Sequence, residues 1–202
     1  MVVLELAIAM NKLALLTPFR HRDFRLYWMG FVTSVSGMQM FLVVQAWLVY
    51  DLTGSALQLG FLALFRAIPA VVLGLAGGVF ADKVDQRRLL IGTTFSVACV
   101  YLVLGVLTLT GVVQVWHILG SVFIIGGLQA FDQPSRQAIF PSLINREDMM
   151  SAVALNSTIH PGTRIFAPIL AGLLIDYVGI PRQGAATAIF IVSATYAIFS
   201  YM

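Results

Sequence analysis

The sequence predicts an all-α transmembrane protein built as a bundle of six membrane-spanning helices. Three observations carry that expectation. Hydrophobic residues fill 59% of the 202 positions and only 10% are charged, with a mean hydropathy of +0.92. A soluble domain of this length cannot bury so much apolar surface, whereas a bilayer takes it up. The apolar residues fall into six continuous runs, each near the ~20 residues that cross about 30 Å of hydrocarbon as helix. None of the runs alternates with period 2, so they do not read as barrel strands.

In chain order the runs lie at about 25–50, 56–80, 89–110, 113–132, 151–177 and 184–202. Residues 1–24 read as a tail on the cytoplasmic side. Its short apolar part, Met1–Leu16, is interrupted by Glu5 and Lys12, is too short to span, and lacks the basic start of a signal peptide. A translation start at Met10 and an interfacial or disordered tail are both compatible with it. The first break, Asp51-Leu52-Thr53-Gly54-Ser55, has turn chemistry, as do Gly111, the stretch from Pro134 to Arg146, and Gly179-Ile180-Pro181. Lys12, Arg20, Arg22 and Arg25 precede the first run. Lys83, Arg87 and Arg88 join the second to the third, and Arg136 and Arg146 join the fourth to the fifth. The alternate breaks hold only Arg182, so both ends of the six-span unit are expected in the cytoplasm.

A formal charge of +3 would suggest nucleic acid in a soluble chain. Here the basic residues sit between apolar spans and report orientation, so no nucleic-acid partner is expected. Cys99 is the single cysteine, which leaves no disulfide framework and no metal-type spacing. The sequence has no phosphate loop, no Ser/His/Asp arrangement and no His/Cys cluster at ligand spacing. An enzyme, a metal and a cofactor are therefore not expected.

Between spans 2 and 3 the chain reads G-V-F-A-D-K-V-D-Q-R-R from Gly78 to Arg88. This resembles the loop signature of the major facilitator superfamily, commonly Gly-x-Leu-Ala-Asp-Arg-x-Gly-Arg-Lys/Arg. Gly78, Ala81, Asp82, Lys83, Arg87 and Arg88 fit, whereas Phe80, Asp85 and Gln86 depart from it. FRHRDFRLYWMG, WLVYDLTGSALQLG and FDQPSRQAIFPSLINREDMMSAVALNS are similar to the branch of enterobactin-type siderophore exporters and transmembrane secretion effectors. Such transporters have two six-helix halves with the substrate site between them. The resemblance thus implies the N-terminal half of a bundle whose partner is a C-terminal six-helix half, or a second copy of the same chain.

The implied function is secondary active export of a small molecule, such as a siderophore or drug, by alternating access in a bacterial-type inner membrane. A truncated non-transporting membrane protein and a six-span homodimeric transporter are the alternatives. The resemblance further implies a conformational latch made by Gly78, Asp82, Lys83, Arg87 and Arg88, with Asp82 capping a helix of the opposite half. A carboxylate beside a helix N-terminus gains ~0.3–1 kcal/mol when exposed and up to ~2 when partly buried. Asp132 and Arg136, at the end of span 4, are expected as a second charge cluster pairing with Arg87 or Asp85. The plainer alternative is that these charges only set topology.

Arg66 and Arg164 lie inside spans 2 and 5, where a charge is costly unless it meets water or a partner. Asn156, His160, Arg164, Ala167 and Ala171 recur at steps of three or four and predict a polar and small stripe on span 5, bent by Pro161 and Pro168. Arg66, Ala70, Gly74 and Gly78 predict a similar stripe, with Gly74-x-x-x-Gly78 permitting close helix approach. Snorkelling to the interface is the alternative for Arg66. Ser34, Gly37, Phe41 and Gln45 share a face of span 1. The resemblance places spans 1 and 4 along the cavity, which makes Phe41 and Gln45 expected substrate contacts beside Arg66, Arg164, His160 and Asn156. Basic residues without an acidic one at mid-span fit an anionic substrate better than a cation.

Overall fold

The computed structural model describes residues 17–81, 85–177 and 180–201. They form six long helices: α1 (Arg22–Thr53), α2 (Ala56–Ala81), α3 (Gln86–Leu109), α4 (Val115–Ile139), α5 (Met149–Tyr177) and α6 (Pro181–Tyr201), with 3-10 turns at Thr17–Arg20 and Phe140–Leu143. No strand occurs among the described residues. Each of the six helices holds a stretch long and apolar enough to cross a membrane. Helix is the form that lets a single segment satisfy its own backbone where water is absent.

The helix ends follow local chemistry. Gly54 takes a left-handed conformation, φ 62°, and donates its N–H to the Tyr50 carbonyl, closing α1. Gly111, φ 75°, turns the chain after α3. At the start of α3 the Asp85 carboxylate accepts from the backbone N–H groups of Arg87 and Arg88 at 3.0 and 3.3 Å. It also meets the Arg88 guanidinium at 3.5 Å. Asp85 is thus a cap for its own helix.

The helix bounds differ from the expected spans by a few residues, α1 starting at Arg22 rather than 25, and most at the end of α4. The turn expected from Pro134 onward is helical: α4 runs through Pro134 to Ile139 and tightens into a 3-10 turn only at Phe140. The polar residues of this stretch are not loop chemistry. Gln129, Asp132, Gln133 and Arg136 recur at helical spacing and line one face.

α2 packs on α4, α4 on α3, α3 on α6, α6 on α1, and α1 on α5. The core is built from Phe41, Val44 and Leu48 of α1, Tyr101 and Leu104 of α3, Ile118 of α4, and Ile189 and Val192 of α6. Between apolar helices in lipid the attraction is van der Waals packing rather than water exclusion, so small residues set how near the backbones come. At Gly126 of α4 an added Cβ would lie 2.7 Å from the Arg66 carbonyl oxygen of α2. An added Cβ at Gly74 would meet nothing within 4 Å among the described residues. The close approach of α2 is made through a glycine on its neighbour.

Two polar side-chain contacts tie the ends of the bundle. Asp51 at the end of α1 meets Arg182 at the start of α6 at 3.0 Å. At the other end, which carries Arg20, Arg22, Arg25, Arg87 and Arg146, His21 meets Asp148 at 3.0 Å. The helices are unevenly covered. Half of the apolar stretch of α1 and of α6 is buried, but only 11% of that of α2 and 28% of that of α5.

Candidate functional site

A cleft of about 250 Å³ opens among the helices, lined from α4 by Gln129, Asp132, Gln133 and Arg136 and from α1 by Phe31, Ser34, Val35 and Met38. Both sets follow the three-to-four residue step that puts side chains on one helix face. Arg66 of α2, His160 of α5 and Tyr196 of α6 complete the walls with Val97.

Arg136 is the most constrained charge in the cleft, with 8% of its surface exposed. Its Nε donates to the Asp132 carboxylate at 2.5 Å, one helical turn earlier. The guanidinium carbon lies 4.9 Å from the Phe31 ring centroid and 4.5 Å from that of Phe199, so it is held between two aromatic faces. Such contacts are worth about 2 kcal/mol when desolvated. Arg136 Nη1 is buried and finds no hydrogen-bond acceptor among the described residues. On the other side of the pair, the Thr93 and Thr94 hydroxyls approach Asp132 at 3.4 and 3.5 Å. Both already donate to the Leu90 carbonyl, at 3.1 and 2.6 Å. A hydroxyl has one proton to give, so the guanidinium is the main partner of the carboxylate.

Arg66 is half-buried and donates from Nη2 to Gln129 Oε1 at 3.2 Å, while Gln129 Nε2 donates to the Met38 sulfur at 3.4 Å. Arg66 is thus held by a partner on α4 within the cleft. Its backbone is pinned against Gly126. Arg136, Asp132 and Arg66 line the same cleft as Tyr196. Arg66 and Arg136 bring two cations to the cleft and Asp132 one anion.

Of the other expected cavity residues, His160 reaches the cleft and meets Phe31 edge-on, with ring centroids 5.9 Å apart. Phe41 and Gln45 do not line it. Both are buried in helix packing, and Phe41 lies edge-on to Tyr101 at 4.6 Å. Arg164 is exposed, and Asn156 is half-buried with no partner for Oδ1 among the described residues. The expected stripe on α5 divides in two: Ile159, Thr163, Ala167 and Ala171 form the buried face, while His160 and Arg164 lie one position round the helix and outward.

The expected latch is only partly described. Asp82 and Lys83 lie outside the described residues, and Gly78 falls in the last turns of α2. Arg87 lines a second cleft, of about 470 Å³, together with Asp23, Tyr27, Asp85, Leu90 and Ser142. Asp132 and Arg136 do not pair with Arg87 or Asp85 as expected. They pair with each other, because α4 stays helical and turns both side chains into the bundle. The sequence reading missed Gln129, Gln133, Phe31 and Tyr196 as cleft residues. The repeat of polar residues at 129, 132, 133 and 136 was the signal that could have found the α4 face.

Residues 13–201 match the transmembrane secretion effector family. The chain is 32% identical over 144 residues to the staphyloferrin A transporter of Staphylococcus aureus, covering 71% of this chain and 36% of that protein. It is 26% identical over 147 residues to macrolide efflux protein A of Streptococcus pyogenes, covering 73% and 36%. It is 25% identical over 149 residues to an uncharacterised transporter of Bacillus subtilis, covering 71% and 33%. The matched region thus spans about a third of the length of these relatives. No solved structure matches the chain.

Proposed function

The chain belongs to the major facilitator superfamily, within its transmembrane secretion effector family, and we propose that it acts as the N-terminal six-helix half of a secondary transporter that exports a small molecule by alternating access. The observation that carries this reading is the cleft itself. It is a polar, charged opening between α1, α2, α4 and α5 in a bundle otherwise packed with apolar side chains. Such a feature is costly in a membrane unless it handles a solute.

The partner that completes the path is a second six-helix unit over the face left open by α2 and α5. Arg164 is exposed on α5 within an apolar span. A charge at the centre of a bilayer costs ~2.5–3.5 kcal/mol on insertion scales, so this face meets protein or water rather than lipid. The family supports Asp82, with Lys83, Arg87 and Arg88, as a latch between the halves, and a membrane orientation with the basic end of the bundle in the cytoplasm. Export fits the name of one relative, a macrolide efflux protein, and transport of a small molecule fits that of another, the staphyloferrin A transporter.

The test is accumulation of labelled siderophores and macrolides in cells making the complete native gene product, compared with the Asp82→Asn variant. Accumulation is expected to fall for at least one compound, and D82N is expected to restore it with membrane insertion intact. Accumulation equal to that of empty-vector cells across the whole panel would sink the export reading, and full activity in D82N would sink the latch.

A further inference from the structure

We infer that the cleft between α1, α2 and α4 is a binding subsite for the oxyanion of a small molecule, a carboxylate above all, gripped by Arg136 Nη1 and Arg66. This deepens the transport reading by giving the chemistry of the solute, and rests on it. Arg136 is more than nine-tenths buried, lines the cleft, and has a guanidinium nitrogen with no acceptor among the described residues. A buried guanidinium N–H left unpaired costs more than an ordinary lost hydrogen bond, because the donor is charged. Arginine is a planar fork that suits a carboxylate or phosphate through two parallel bonds. Asp132 occupies the Nε side of that fork, and Tyr27 also hydrogen-bonds the guanidinium, which leaves Nη1 as the nitrogen without a partner among the described residues.

The surrounding charge points the same way. Asp132 balances one of the two arginines, so the cleft holds a surplus positive charge. Arg66 reaches the same space and is engaged by Gln129, a neutral partner that holds its direction without cancelling its charge. Gln133, Ser34 and His160 add polar atoms on the walls. Phe31 and Phe199 fix the Arg136 plane from both sides, so little rotamer freedom is left to lose when an anion arrives. A cation would meet net repulsion here. A neutral solute would leave Nη1 unpaired.

The complete native gene product, in phosphatidylcholine nanodiscs, is titrated with benzoate, with inorganic phosphate, and with benzamide as the neutral isostere, and binding is read by thermal shift and calorimetry. Benzoate is expected to bind and raise the melting temperature, and benzamide to do neither. Arg66→Gln and Arg136→Lys are each expected to weaken benzoate binding tenfold or more. Arg136→Lys keeps the charge beside Asp132, so it tests the fork without stranding the carboxylate, and Arg66→Gln alters a half-buried side chain if that variant fails to fold. Benzamide binding as well as benzoate, or unchanged affinity in the folded variants, would overturn the assignment. So would stabilisation seen only in nanodiscs containing phosphatidylglycerol, which would give the oxyanion to a lipid headgroup. Phosphate binding that depends on both arginines supports the oxyanion site. Benzoate binding in a protein that exports nothing would overturn the transport reading alone, and export without benzoate binding would overturn only this one.

Discussion

Replacing Asp132 by asparagine leaves the Arg136 guanidinium in the bundle with its charge and without its counter-ion. The two side chains are 18% and 10% exposed, so the pair counts as buried and screening by solvent is slight. Breaking such a pair from one side costs ~3–5 kcal/mol, because the remaining charge keeps its desolvation penalty. The contacts of Arg136 with Phe31 and Phe199 exist before and after the change and do not offset the loss. An asparagine oxygen can still accept from Nε, which places the expected cost toward the lower bound, about 3 kcal/mol, or about a hundredfold in the folding equilibrium. The assay is reversible unfolding of the complete protein in mixed micelles titrated with sodium dodecyl sulfate. Removing the cation as well, in Asp132→Asn with Arg136→Met, is expected to recover a large part of that loss, giving a coupling energy above about 1.5 kcal/mol. A loss in D132N below about 1 kcal/mol, or additivity in the double variant, would refute the reasoning that the pair is a buried unit.

Gly126→Ala is expected to lower stability by ~1–3 kcal/mol, since its Cβ would press on the Arg66 carbonyl at 2.7 Å and on Pro69 at 3.0 Å. Gly74→Ala, facing open space in the described bundle, is the matched control, and equal melting temperatures for the two variants would contradict the packing account. Hydrogen bonds from Thr17 and then His21 hold the Asp148 carboxyl below its ordinary value of 3.8. A lowered carboxylate stabilises above the unfolded value and loses its contribution as pH falls through the folded one. Hydrogen exchange at Ala152, whose N–H bonds to the Asp148 carbonyl at 3.0 Å, is expected to accelerate below pH 3.8 in the native protein. In Asp148→Asn that pH dependence is expected to vanish, and its persistence would remove Asp148 as the cause.

The number and kind of helices were legible in the sequence because lipid leaves a spanning segment so little choice. A continuous apolar run must satisfy its own backbone, and the helix does so. Turn chemistry at Gly54 and Gly111 was equally local and could be read from a few residues each, whereas the cap made by Asp85 was not read from the sequence and came from the structure. The limit appeared at Pro134. Proline and a cluster of polar residues signal a turn in a soluble chain, but a polar stripe facing an internal cleft has the same composition. Only the packing of α4 against α2 and α3 separates the two.

The candidate site divides along the same line. Hydropathy alone marked Arg66 as a charge needing a partner, because the cost of a lone intramembrane cation is independent of the fold. Which partner it takes, Gln129, depends on the approach of α2 to α4 at Gly126. Phe41 and Gln45 share a helix with the cleft residues Phe31, Ser34 and Met38, and periodicity does not say which arc of α1 faces α3 and which faces the opening. Tertiary structure sent Phe41 against Tyr101 and opened the Phe31 side toward Arg136. The sequence by itself determined that the chain holds six helices long and apolar enough to cross a membrane, since transfer energies are summed residue by residue. The meeting of Asp132, Arg136 and Arg66 in one cleft was decided by tertiary structure alone, because it depends on how the helices rotate against one another, which no single helix encodes.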